Sequence, residues 1–241
     1  MEWRDEGILL SLRPHGETSA NTEVFTALHG RYAGILPGGA SRKRSASLQP
    51  GAQVDLVWRA RLADHMGSVR VEVLRDRAAG VLQDRLALLA LSSVCALCRY
   101  ALPERAPYPV LYAATAEVLD TLGQPGWLRT YALWEVLLLE ETGFGLDLSQ
   151  CAVTGATDGL THVSPRTGRA VTLDGAGPYA ARLLPLPALL VDPDAPADVA
   201  ALCAALALTG HFLTEWLAYS IGRPLPEARA RLVAALLPDK V

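Results

Sequence analysis

The sequence predicts an α+β chain of two domains, a small five-stranded β-barrel followed by a mainly α-helical domain. Three observations predict it. Up to Leu74 the chain runs in short apolar segments separated by turn residues, whereas after Ala79 apolar residues recur at helical spacing. The 241 residues, 51% of them hydrophobic, suffice for two cores. The change of period places the domains at 1–78 and 79–241.

Five segments carry strand patterning: 7–13, 21–27, 31–36, 53–62 and 68–74. Pro14-His15-Gly16-Glu17 turns the first into the second, and His29-Gly30 makes a tight step into the third. A long loop from Pro37-Gly38-Gly39 to Pro50-Gly51 leads to the fourth, and a turn at 64–67 leads to the fifth. Five strands in so short a span suggest the oligonucleotide-binding fold (OB-fold), a partly open barrel whose face and loops carry nucleic acid. Helical patterning then covers 81–102, 109–122, 127–142, 198–221 and 226–237, with Gly143 set to end the third helix and Pro226 to open the last. Between the third and fourth lies an irregular stretch, 145–196, rich in Gly, Pro, Asp and Thr.

Charge is unevenly placed. The net charge is −3, but residues 1–80 hold 11 Lys and Arg against 9 Asp and Glu, leaving 11 against 16 in the remainder. No acid stands between Glu23 and Asp55, a window that contains Arg31, Arg42, Lys43 and Arg44. The loop Ser41-Arg42-Lys43-Arg44-Ser45 offers three adjacent cations to a phosphate backbone. Arg59 and Arg61 alternate with Trp58, Ala60 and Leu62, so on a strand they share one face. Two readings stay open at this point, a basic groove and an ordinary solvated surface.

Enzyme chemistry finds no constellation. The glycine-containing segments 34–39 and 155–159 lack the spacing of a phosphate-binding loop. His15, His29, His65, His162 and His211 are scattered singly, and Glu140-Glu141 would point about 100° apart on a helix. Of the four cysteines, Cys95 and Cys98 fall in a helical apolar pattern and read as core residues, leaving Cys151 and Cys203 as isolated thiols. With a charged start and apolar runs such as 199–208 too short to span a bilayer, the expectation is a cytoplasmic protein with no membrane association.

Ordered motifs resemble those of the RecO family. In the N-terminal part they are Glu2-Trp3-Arg4-Asp5-Glu6-Gly7-Ile8, His15-Gly16-Glu17-Thr18-Ser19, His29-Gly30 and Leu48-Gln49-Pro50-Gly51. Leu102-Pro103-Glu104-Arg105, Gly143-Phe144-Gly145-Leu146-Asp147-Leu148, Cys151-Ala152-Val153-Thr154-Gly155 and Val163-Ser164-Pro165 follow. The resemblance implies a non-enzymatic mediator of recombinational repair, associated with the nucleoid. Such a protein binds single- and double-stranded DNA, anneals complementary strands and contacts the acidic tail of single-strand-binding protein. With RecR it helps load RecA, and RecF and RecA enter indirectly. Arg42, Lys43 and Arg44, with Arg31, Arg59 and Arg61, then become the DNA-binding candidates.

The resemblance also implies a zinc-ribbon-like fold for the irregular stretch, since some members hold zinc there with two Cys-x-x-Cys pairs. Here the first pair reads Cys151-Ala152-Val153-Thr154 and the second Thr172-Leu173-Asp174-Gly175, so no metal and no cofactor is expected. The partner tail requires a cation beside an apolar pocket, and Arg129, flanked by Trp127 and Tyr131, is the candidate, the alternative being an arginine bonded to a neighbouring carboxylate at a helix end. Members of the family often carry an arginine two residues before the counterpart of Glu135, where this chain has Leu133. An RNA-binding barrel with a helical scaffold, and a pure interaction protein, are the other readings.

Overall fold

The computed structural model describes residues 1–62 and 65–237, with the side chains of Lys43 and Ser45 left aside. Part of the expected 64–67 turn thus lies outside the described residues. The strands are β1 (Glu2–His15), β2 (Ser19–Thr26), β3 (Gly30–Leu36), β4 (Gln53–Arg59) and β5 (Ser68–Arg75). They close into a barrel in the order β1-β2-β3-β5-β4, with β4 returning to β1. This is the expected OB-fold, followed by a mainly helical region.

Alternation sets the faces. Val54, Leu56 and Trp58 of β4 are buried, whereas Asp55, Val57 and Arg59 point outward. Closure depends on the parallel contact of β3 with β5 at Ile35↔Ser68. There Gly34 lets the strands approach, because a Cβ on it would stand 2.4 Å from Val69 Cγ1. β1 begins five residues before the expected start, since its charged opening still alternates, with Trp3 and Asp5 half-buried between exposed Glu2, Arg4 and Glu6. A bulge between Leu9 and Ser11 bends it, so that it pairs with both β2 and β4.

Two corrections follow in the barrel. The expected open loop contains a helical turn, α1 (Arg42–Ser47), capped by the Ser41 hydroxyl, which accepts from the Arg44 N–H. β4 ends at Arg59, so Arg61 stands beyond the strand and the argument from strand alternation does not reach it.

A short turn, α2 (Arg77–Gly80), leads to α3 (Arg85–Ala101) and α4 (Pro109–Thr121). α3 starts after the expected position because Asp84 caps it, accepting from the Ala87 N–H. Met1–Gly123 and Pro226–Leu232 form one compact unit. Within it the buried Arg77 donates to Asp120 of α4 and to the Gly51 carbonyl, holding α4 to the barrel.

The second unit is Gln124–Leu225 with the described residues from Val233. α5 (Trp127–Leu139) passes into a π-turn, Glu140–Phe144, where Gly143 at φ +88° ends the helix as expected. The irregular stretch holds β6 (Leu160–Val163), β7 (Ala170–Thr172), α6 (Leu173–Ala176) and β8 (Leu184–Pro185). Its sheet has the order β7-β6-β8 over a small core of Cys151, Val171 and Ala176.

α7 (Val199–Phe212), a π-turn at Leu213–Ala218 and α8 (Tyr219–Ile221) run on as 23 helical residues. This run, longer than the apolar segment within it, reaches membrane-spanning length and apolarity by composition, yet Leu202, Leu206, Phe212, Leu213 and Leu217 are buried within the protein. α9 (Glu227–Leu236) opens after Pro226, as expected.

Candidate nucleic-acid interface

The barrel gathers cations from three elements. Arg44 of α1, Arg59 of β4 and Arg70 of β5 line one cleft of about 540 Å³, with Asp55 and Glu72 on the same wall. Arg4 neutralises Asp55 through two-pronged hydrogen bonds of 2.8–3.1 Å, leaving Glu72 as the other acid that lines the cleft. Arg59 also faces a neighbouring groove that holds Arg61, Ala60, Met1 and Glu2, so Arg59 and Arg61 come together although they do not share a strand. The Arg59 guanidinium pairs with Glu2 at 2.8 Å, and both side chains are exposed enough for water or phosphate to compete.

Arg70 escaped the sequence reading. Its signal was present, because Ser68, Arg70 and Glu72 alternate with Val69 and Val71, and register sets Arg70 beside Val57. Nothing in the local sequence brings it to Arg44 and Arg59; barrel closure does.

In α1, Arg42 and Lys43 open the helix and Arg44 falls in its last turn. The positive end of a helix disfavours cations by a few tenths to about 1 kcal/mol each. Arg42 is exposed, and Arg44 is steadied by donating to the Pro37 carbonyl at 2.9 Å. The Lys43 side chain lies outside the described residues.

Arg31 has a different situation. Only 15% of its side chain is exposed, and it donates to Glu23 at 2.7 Å and to the Leu102 carbonyl at 2.8 Å. Glu23 also accepts from Arg99 at 2.6 and 2.8 Å and from the Ser11 hydroxyl. Burial pushes the Glu23 carboxyl up, but the combined bonds and charges of Arg99 and Arg31 outweigh it and hold it below the ordinary carboxylate range. The structure therefore does not join Arg31 to the cleft arginines; it ties β3 to β2 and α3.

Two family profiles match the chain, "Recombination protein O N terminal" over residues 1–77 and "Recombination protein O C terminal" over 82–228. The chain belongs to the RecO family. Among its relatives, the DNA repair protein RecO of Cereibacter sphaeroides (strain ATCC 17029 / ATH 2.4.9) is 56% identical over 237 residues, covering 98% of each chain. That of Jannaschia sp. (strain CCS1) is 57% identical over 238 residues, 98% of this chain and 96% of the relative. That of Dinoroseobacter shibae is 55% identical over 238 residues, 98% of each. This is a DNA repair family, as the ordered motifs implied.

In this RecO member Arg129 donates to three backbone carbonyls, Ala195 at 3.0 Å, Leu189 at 3.2 Å and Asp192 at 2.6 Å. The guanidinium fork thus fastens the turn at 189–195 onto the start of α5. Glu135 is fully buried, its carboxylate accepting from the Tyr131 and Thr209 hydroxyls.

The zinc implied by some RecO proteins does not fit this chain. Residues 151–154 and 172–175 do converge, since Cys151 Sγ accepts from the Thr154 and Thr172 N–H groups at 3.4 and 3.3 Å and lies 3.5 Å from Thr172 Oγ1. One thiol and two hydroxyls are not a structural zinc set. Burial pushes the Cys151 thiol up, but the hydrogen bonds of Thr154 and Thr172 outweigh it and bring it to about 6. The two threonine hydroxyls, and after them the backbone N–H groups, do here what a cation does elsewhere.

Proposed function

We propose that this chain is a recombination mediator that binds single- and double-stranded DNA and promotes annealing. With RecR, it helps load RecA onto DNA coated by single-strand-binding protein. It acts in the cytoplasm on nucleoid DNA and performs no covalent step. The observation that carries the reading is the convergence of Arg44, Arg59 and Arg70 on one cleft of an OB-fold barrel, with Arg61 beside it. Guanidinium groups so placed track a phosphate backbone without reading sequence.

DNA binding belongs to residues 1–78 and partner binding to 79–241. Arg42, Lys43, Arg44, Arg59, Arg61 and Arg70 form the DNA surface, while Arg31 acts by holding β3 to β2 and α3. The tail of single-strand-binding protein is assigned to the helical domain, where Arg129 acts by shaping the 189–195 turn rather than as the tail's counter-ion.

The experiment is binding to labelled single-stranded DNA over a salt series, with RNA as competitor. Replacing Arg42, Lys43 and Arg44 by alanine should weaken binding to every sequence. It should also flatten the slope of log affinity against log salt by about 0.7 for each phosphate that the variant no longer neutralises. Relieving two cations at the helix N-terminus offsets the lost Arg44 bond to the Pro37 carbonyl, so thermal stability should hardly change. An unchanged slope in the folded variant removes α1 from the surface, and a preference for RNA overturns the DNA reading.

A further inference from the structure

The barrel end at which β1 meets β4 carries three rings in a column. Trp3 stacks on Trp58 with centroids 5.7 Å apart and planes 17° apart, and His29 stacks on Trp3 at 3.9 Å and 6°. No ring contact joins His29 to Trp58 among the described residues, so Trp3 lies between them. Trp58 is 1% exposed, whereas Trp3 is half-buried and 30% of the His29 side chain meets solvent. The column starts in the core and ends on an imidazole with Trp3 covering one face.

That last ring is fixed in place. The His29 backbone N–H donates to the Thr26 hydroxyl at 3.1 Å, and the ring's Nδ1 lies 3.1 Å from Asp5 Oδ2, which also accepts from the Leu28 backbone N–H. Ordering a flexible ring on binding costs free energy, and here the fold has already ordered it. The surroundings have the composition of a base site. Leu28 is 71% exposed beside the imidazole, and the Arg105 guanidinium lies 5.3 Å from the Tyr32 ring centroid, Tyr32 packing edge-on against Trp3. Pairing of Glu2 with Arg59 and of Trp3 with Trp58 puts the arginines at the end of β4 at this same end of the barrel. Arg105 is also the one non-glycine residue with positive φ among the described residues, at +63°.

We propose that the outer face of His29 is a stacking platform for one unpaired nucleobase, which extends the Trp58–Trp3–His29 column by a fourth ring. Every base has a π-face, so the platform is indifferent to sequence. A base within a duplex already has both faces covered, so the platform selects single strands. The carboxylate of Asp5 opposes a phosphate here, which leaves backbone contacts to the arginines and gives His29 the base. This subsite rests on the DNA-binding reading and adds to it the feature that separates single from double strands.

The test compares an oligothymidylate with an abasic strand of equal length and with a duplex, by fluorescence anisotropy at one salt concentration. The wild-type chain should bind the abasic strand about tenfold more weakly than the thymidylate. His29→Ala should bring thymidylate down to the abasic level while leaving duplex affinity and the salt slope unchanged, and His29→Phe should keep the preference. Because the abasic comparison uses the unaltered protein, a folding defect in either variant leaves that arm decisive. Equal wild-type affinity for abasic and normal strands overturns the platform, as does a base preference that survives in His29→Ala. Wild-type protein that binds neither strand nor duplex at low salt overturns the DNA reading itself, and the platform with it.

Discussion

Among single residues, Glu23 shows how a side chain that touches no ligand can hold a surface in shape. Its carboxylate gathers Ser11 of β1, Arg31 of β3 and Arg99 of α3 around β2. Because its carboxyl is held below the ordinary range, the stability it contributes is fully present above the unfolded value and is lost as pH falls through the folded one. Glu23→Gln should cost about 2 kcal/mol at pH 7, as expected for removing charge-assisted hydrogen bonds. Urea unfolding at descending pH should then show the gap to wild type closing toward zero in acid. A gap that stays constant down to strong acid would show that Glu23 acts by shape alone. Sequence made Arg31 one cation in an acid-free window; what it hid was Glu23, eight residues back on the neighbouring strand and inside hydrogen-bonding reach only after β2 and β3 pair.

Elements were legible where period and punctuation agree. Gly143 and Pro226 mark helix ends because a positive φ and a missing N–H are local properties. β1 was read short because charged residues at its start obscured the alternation, and α1 was missed because a six-residue helix is too short to show a period. The cleft itself joins α1, β4 and β5, and no local pattern encodes that meeting. The turn at 189–195 illustrates the same limit: Arg129, some sixty residues earlier, supplies donors to three of its carbonyls. Arg129→Ala should destabilise the protein by about 2 kcal/mol and speed amide exchange in that turn. Arg129→Lys should recover only part, since an ammonium does not reproduce the planar fork. Wild-type exchange rates in Arg129→Ala would remove the residue from the turn.

At the scale of the molecule, a compact unit assembled from two stretches of chain is the feature that composition did not disclose. The small sheet around Cys151 stands on hydrogen bonds and a small apolar core, so a strong chelator should leave the melting temperature unchanged. Elemental analysis finding about one zinc per chain would overturn that. The first compact unit joins Met1–Gly123 to Pro226–Leu232, and Arg229 and Leu232 of the later stretch are buried. A ribosome makes these two stretches with about a hundred residues of the other unit between them. At about 5–20 residues per second, that interval lasts roughly 5–20 s. The nascent barrel and its two helices must wait that long for the piece that completes them, and the other unit is itself completed only by the residues from Val233, which follow that piece.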